Sequence, residues 1–116
     1  MKKTNKALFK ATDLASGEMK KVCVEGDGLI AVYRQGDEFF ATQDRCTHAA
    51  ASLTEGWLEG YEVTCPVHEA RFDIRNGSAL CFPASEALRT FSVTVCEGTV
   101  YLVTNDTAEL TIENRN

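Results

Sequence analysis

The sequence predicts an all-β fold, an antiparallel sandwich or small barrel. Short runs of β-forming residues recur along the chain, and glycine turns separate them. No amphipathic stretch long enough for three helical turns breaks the series. Val22-Cys23-Val24 leads into Glu25-Gly26-Asp27-Gly28 and then Leu29 to Tyr33. Gln35-Gly36-Asp37 turns that run into Phe39-Phe40-Ala41. Further on, Phe91, Val93 and Val95 alternate with Ser92 and Thr94, and Glu97-Gly98 leads to Val100-Tyr101-Leu102-Val103. Period-two spacing around a glycine turn is the mark of a hairpin. Residues 13–17 and 85–88 are each expected to form one helical turn. Gly26 to Ala31 also fits a loose dinucleotide-binding pattern. That pattern requires a helix after the glycines, and β-type residues follow here, so the segment reads as a turn.

Composition narrows the function. With 116 residues and 12.7 kDa, residues 1–116 are expected to be a single domain. Hydrophobic residues at 44% and charged residues at 25% are the balance of a globular chain. The net charge of −5 disfavours non-specific nucleic-acid binding, which needs clustered Lys and Arg. The basic start, Met1 to Lys6, is followed by only Ala7-Leu8-Phe9 before Lys10, too short for an export signal. No run reaches the length of a membrane span, so a soluble cytoplasmic protein is expected. Five cysteines, an odd number, argue against a disulfide framework and for metal binding or burial. Cys23 and Cys96 lie in β runs and are expected in the core.

From about Asp44 to Pro83 the chain changes character. It is rich in turn residues and holds both histidines, both prolines and three of the five cysteines. It reads as loops on a β scaffold, where sites are usually placed. Cys46-Thr47-His48 forms one box and Cys65-Pro66-Val67-His68 a second, with sixteen residues between His48 and Cys65. A lone cysteine is usually a small buried hydrophobe. Two histidines out of two, each beside a cysteine, instead point to a metal site with soft sulfur and imidazole donors. One tetrahedral zinc is a candidate. Zinc fingers commonly put both cysteines in one box and both histidines in the other. A two-iron, two-sulfide cluster held by cysteines at one iron and histidines at the other takes one of each per box.

C-x-H, a spacer of about sixteen and C-x-x-H form the Rieske signature, and the likeness extends beyond it. Gln43 to His48, Leu53 to Gly60, Arg71-Phe72-Asp73, Gly77 to Leu80 and Pro83-Ala84 resemble the ferredoxin components of bacterial aromatic-ring-hydroxylating dioxygenases. The resemblance implies an antiparallel Rieske-type β-sandwich with a loop-built cluster-binding subdomain, about residues 44–83. It implies that Cys46 and Cys65 bind an inner iron of one [2Fe–2S] cluster, that His48 and His68 bind an outer, more exposed iron, and that a loop containing Pro83 covers the cluster. The implied role is electron transfer from an NAD(P)H-dependent flavoprotein reductase to a terminal oxygenase, by a monomer that is not itself an enzyme. An oxygenase of this class needs a further iron held by two histidines and a carboxylate, and both histidines here are already assigned. The alternatives are a Rieske-like small subunit of nitrite reductase and a zinc-binding structural module.

The departures from respiratory and photosynthetic Rieske proteins also inform. Their disulfide cysteines are replaced by Ala51 and Val67, and their sulfur-facing Ser and Tyr by Ala70 and Phe72. Fewer donors stabilise the reduced cluster less, so a potential at the low end of the Rieske range is expected. Cys81 is expected to pack near the site and Trp57 to serve local packing. Glu55, Glu59, Glu69 and Asp73 are read either as solvated surface or as an acidic rim for basic partners.

Overall fold

The computed structural model describes residues 3–47, 49–82 and 84–105. Nine antiparallel strands form two sheets, and helix is confined to two 3₁₀ turns among the described residues. The large sheet holds β1 (Lys3–Lys10), β2 (Met19–Val24), β3 (Gly28–Gln35), β4 (Glu38–Gln43), β8 (Thr90–Cys96) and β9 (Thr99–Asn105). Its spatial order is β1-β9-β8-β4-β3-β2. The small sheet is β5 (Trp57–Glu59), β6 (Glu62–Thr64) and β7 (Arg71–Asp73), in that order. It sits within the segment that the sequence reads as loops.

Hairpin turns set the register. Cys96 pairs with Thr99 across Glu97-Gly98, and both turn residues have positive φ, 49° and 81°. That geometry matches the twist of the flanking strands and favours glycine at the second position. Gly26 likewise lies in the middle of the β2–β3 turn and Gly28 opens β3, so the two glycines form a hairpin rather than a phosphate loop. The large sheet curls until its edges approach. Lys6 on β1 donates to the Glu25 carbonyl at 3.0 Å, and the Lys20 ammonium lies 5.7 Å from the centre of the Phe9 ring.

Strand β3 explains how the parts are joined. Ile30, Ala31, Val32 and Tyr33 are all buried, so β3 is covered on both faces. Ile30 and Val32 belong to one core with Leu14, Val24, Ala41 and Leu102. Ala31 and Tyr33 belong to a second core with Cys46, Leu53, Val63, Cys65, Phe72 and Leu88. The scaffold and the small sheet therefore share one strand between them. The Tyr33 hydroxyl lies 2.8 Å from Thr42 Oγ1, and burial raises its pKa above the ordinary phenol range.

Several expectations are corrected. The charged start of the chain forms β1, whose Leu8 and Phe9 pack on the scaffold core. The first helical turn lies at Ala11–Asp13 rather than 13–17, and a second, Leu53–Glu55, follows the first box. Residues 85–88 form no helix; Leu88 is buried and donates to the Gly77 carbonyl at 2.8 Å. Cys23 and Cys96 are exposed, not core. Period two decides both cases: Val22 and Val24 face inward on β2 and Phe91 and Val93 on β8, which turns Cys23 and Cys96 outward.

Candidate metal centre

The first box hangs from the end of β4 and the second from the end of β6. The Cys46 amide donates to the Ala51 carbonyl at 3.0 Å, and Arg45 bridges to Ser52, which closes the first loop. The Cys65 amide donates to the Ala70 carbonyl at 2.8 Å, which closes the second. Both cysteines are buried in the second core, and their thiols are near enough to interact. Burial pushes the Cys65 thiol above its ordinary pKa, while the Val67 amide, 3.4 Å from Cys65 Sγ, acts in the opposite direction. An apolar pocket does not favour two bare thiolates. A cation or cluster supplying positive charge would reverse that, because thiolate is the ligating form. The donor set therefore fits a soft metal group.

His68 and Glu69 follow at φ of 61° and 55°, a left-handed geometry that residues other than glycine rarely adopt. Such strain concentrates at functional sites and has to be held by its surroundings. Here the Cys65–Ala70 hydrogen bond spans it. The outcome is a gradient of depth: Cys46 and Cys65 are buried and His68 is exposed. His48 and Pro83 lie outside the described residues.

Beside His68 runs a cleft of about 430 Å³, lined also by Trp57, Glu59, Arg71, Cys81 and Phe82. Trp57 is 48% exposed and Phe82 is 92% exposed, so Trp57 contributes less to packing than expected. Cys81 is half-buried and lines this cleft together with Arg71, whose guanidinium reaches Glu62 at 3.4 Å. Glu55, Glu59 and Glu69 are exposed around this end of the molecule. Asp73 is not part of any rim. It is buried and accepts from Arg75 Nε at 3.0 Å and Nη2 at 2.8 Å, and this pairing lowers its pKa.

Sequence reasoning missed the contacts that hold the small sheet in place. The Arg75 guanidinium stacks 4.4 Å from the centre of the Tyr61 ring, and the Tyr61 hydroxyl donates to Glu38 on β4 at 2.7 Å. Phe40 meets Tyr61 edge-on at 5.8 Å. Asp44 was also missed. It is buried two residues before Cys46, within bonding distance of Ser52 and Thr54. The nearby Ser and Thr were its only signal. The lack of hydroxyls is as read: Ala70 and Phe72 are both buried in the cysteine core.

Comparison with known proteins agrees with this geometry. Residues 4–92 match the Rieske [2Fe-2S] domain family. Ferredoxin CarAc of Metapseudomonas resinovorans is 42% identical over 92 residues, 79% of this chain and 86% of its own length. The ferredoxin component of the p-cumate 2,3-dioxygenase system of Pseudomonas putida is 45% identical over 91 residues, 78% of this chain and 77% of its own. Among solved structures, the Sphingomonas yanoikuyae B1 ferredoxin superposes with a TM-score of 0.83 at 33% identity, covering 88% of this chain and all of that one. A structure of reduced oxygenase in complex with oxidized ferredoxin, from carbazole 1,9a-dioxygenase, contains a chain that matches with a TM-score of 0.81 at 40% identity. It covers 84% of this chain and 91% of that one. A nitrite reductase small subunit shares the fold alone, at 24% identity and a TM-score of 0.75.

Proposed function

The chain belongs to the Rieske [2Fe–2S] family, and from that premise we propose that Cys46 and Cys65 hold the inner iron of its cluster and His48 and His68 the outer one. It is a ferredoxin component, an electron carrier rather than a catalyst, with one Rieske-type cluster. When bound, that cluster takes up and releases single electrons. The observation that best supports the ligand assignment is the depth gradient from Cys46 and Cys65 to His68. Cys46 and Cys65 keep one side of the site in an apolar core, away from water. His68 stands at the surface on a turn whose strain is locked, so its imidazole offers the short route for an electron to a docked protein. The Val67 amide faces Cys65 Sγ and stabilises negative charge on that sulfur.

The electron is taken from an NAD(P)H-oxidising flavoprotein reductase and delivered to the terminal oxygenase of an aromatic-ring dioxygenase system. The complex with an oxygenase described for a 40%-identical ferredoxin supports the second step. The chain works in the cytoplasm as a monomer, all of 1–116 forming one Rieske domain, and its complexes are weak and short-lived, as electron-transfer encounters usually are. The test is electron paramagnetic resonance of the dithionite-reduced protein with an assay of acid-labile sulfide, repeated for His48→Ala and His68→Ala. Native protein is expected to give a Rieske spectrum that each variant loses. Absence of labile sulfide, or an unchanged visible spectrum in His68→Ala, overturns the ligand assignment.

A further inference from the structure

We infer that Asp44 and Lys21 form a charge pair that positions the first box and sets the reduction potential of the centre, an inference that rests on Cys46 being a ligand as proposed above. Asp44 is 2% exposed. A buried carboxylate is tolerated only when it is paired and hydrogen-bonded. Oδ2 accepts from Ser52 Oγ at 2.6 Å, and Oδ1 accepts from the Thr54 amide at 3.1 Å and Thr54 Oγ1 at 2.9 Å. Lys21 Nζ reaches across from β2 to within 3.8 Å of Oδ2. The backbone of the same residue is engaged too: its amide donates to the Leu29 carbonyl at 3.1 Å, and its carbonyl accepts from Leu53 at 2.8 Å. One residue thus holds the entry and the exit of the loop that carries Cys46, and ties both to β3.

A neutral Asn or Ser would serve a loop that needed only an acceptor. The charge has a separate consequence. It lies out of water, where screening is weak, whereas Lys21, with its side chain 36% exposed, is partly screened. Reduction adds one electron to the centre. A fixed anion nearby opposes that step, and a fixed cation favours it. The two members of the pair therefore act on the potential with opposite signs, whereas a merely structural staple would loosen the loop in the same sense whichever member was removed.

The experiment is a reductive titration of the cluster-loaded full chain, read by visible absorbance, for Asp44→Asn, Lys21→Gln and the double variant. Asp44→Asn is expected to raise the ratio of reduced to oxidised protein at a fixed ambient potential about tenfold, which is ~59 mV for one electron. Lys21→Gln is expected to lower that ratio, and the double variant to return toward the native value. Asp44→Glu, which keeps the charge but not the fit, is expected to hold the native ratio while losing its cluster faster. Shifts of the same sign in Asp44→Asn and Lys21→Gln, or no shift in either, overturn the inference. If Asp44→Asn does not load, Lys21→Gln decides alone: a fall supports the pair, and a rise or no change overturns it. A native chain without labile sulfide would defeat the ligand assignment before any potential was measured, so the two failures are distinguishable.

Discussion

Gly56 brings the segment after the first box directly against the backbone of the second. It ends the Leu53–Glu55 turn at φ −88° and ψ −140°. A Cβ placed there would collide with the Thr64 carbonyl oxygen and lie 3.2 Å from Cδ of Pro66. Thr64 and Pro66 flank Cys65, and neither a carbonyl nor a proline ring can swing aside. Gly56→Ala therefore has to push β5 away from the second box. Overpacking of this kind costs about 1–3 kcal/mol. Taking about 2 kcal/mol, and about 4 °C of Tm per kcal/mol from an unfolding entropy of about 2.1 cal/mol/K per residue, Tm should fall by roughly 8 °C. Gly26→Ala is the control. Its φ is 90° with nothing within 4 Å, so only the left-handed backbone is penalised, at about 1 kcal/mol. Thermal unfolding followed by circular dichroism, with bleaching of the visible bands as a measure of cluster loss, compares the two. Gly56→Ala should lose about twice the Tm of Gly26→Ala and bleach faster. A Gly56→Ala Tm within about 2 °C of native, or bleaching no faster than in Gly26→Ala, would refute the steric reasoning.

Two further outcomes follow from the same contacts. With Ala70 and Phe72 offering no hydroxyl, the midpoint potential should lie near about −150 mV, and a strongly positive value in reductive titration would refute that reading. Asp73 has its pKa lowered by hydrogen bonds from Arg75, so the ion pair stabilises the fold above the carboxyl's unfolded pKa of 3.8. That contribution is lost as pH falls through the lower folded value. Asp73→Asn should cost about 2 kcal/mol at neutral pH and flatten the acid limb of Tm against pH; an acid limb identical to native would count against it.

The scaffold hairpins could be read from sequence because each is a local event. Glu97-Gly98 and Gly36-Asp37 specify their turns, and period two specifies which face is buried. The cysteine–histidine boxes were legible for a similar reason, since ligand spacing is written within a few residues. What stayed hidden depends on distant pairing. β1 is polar along much of its length and becomes a strand by pairing with β9 at the other end of the sequence. The three-residue strands β5, β6 and β7 are too short to show a period. Asp73 looked like surface because Arg75, two positions on, is identified as its partner only by the turn that brings them together. Cys23 and Cys96 are placed in the core when read by residue type alone; each is out of phase with the inward-facing residues of its strand, so period two turns it outward.

The division of the two cores has a consequence for cluster removal. Cys46 and Cys65 are themselves members of the core that includes Leu53, Val63, Phe72 and Leu88, whereas the scaffold core of Val24, Ile30, Val32, Ala41 and Leu102 contains no cysteine. Ligation energy is folding energy wherever a site's ligands are also its core. Stripping iron with a chelator should therefore loosen one core and spare the other. In hydrogen exchange, the amides of Cys46, Leu53 and Cys65 should lose protection, while those of Val32 and Ala41, held in the β3–β4 ladder, should keep it. Uniform loss across both cores would mean that the scaffold does not stand without its cluster; no loss in either would mean that the cysteines are not the ligands that hold the site together.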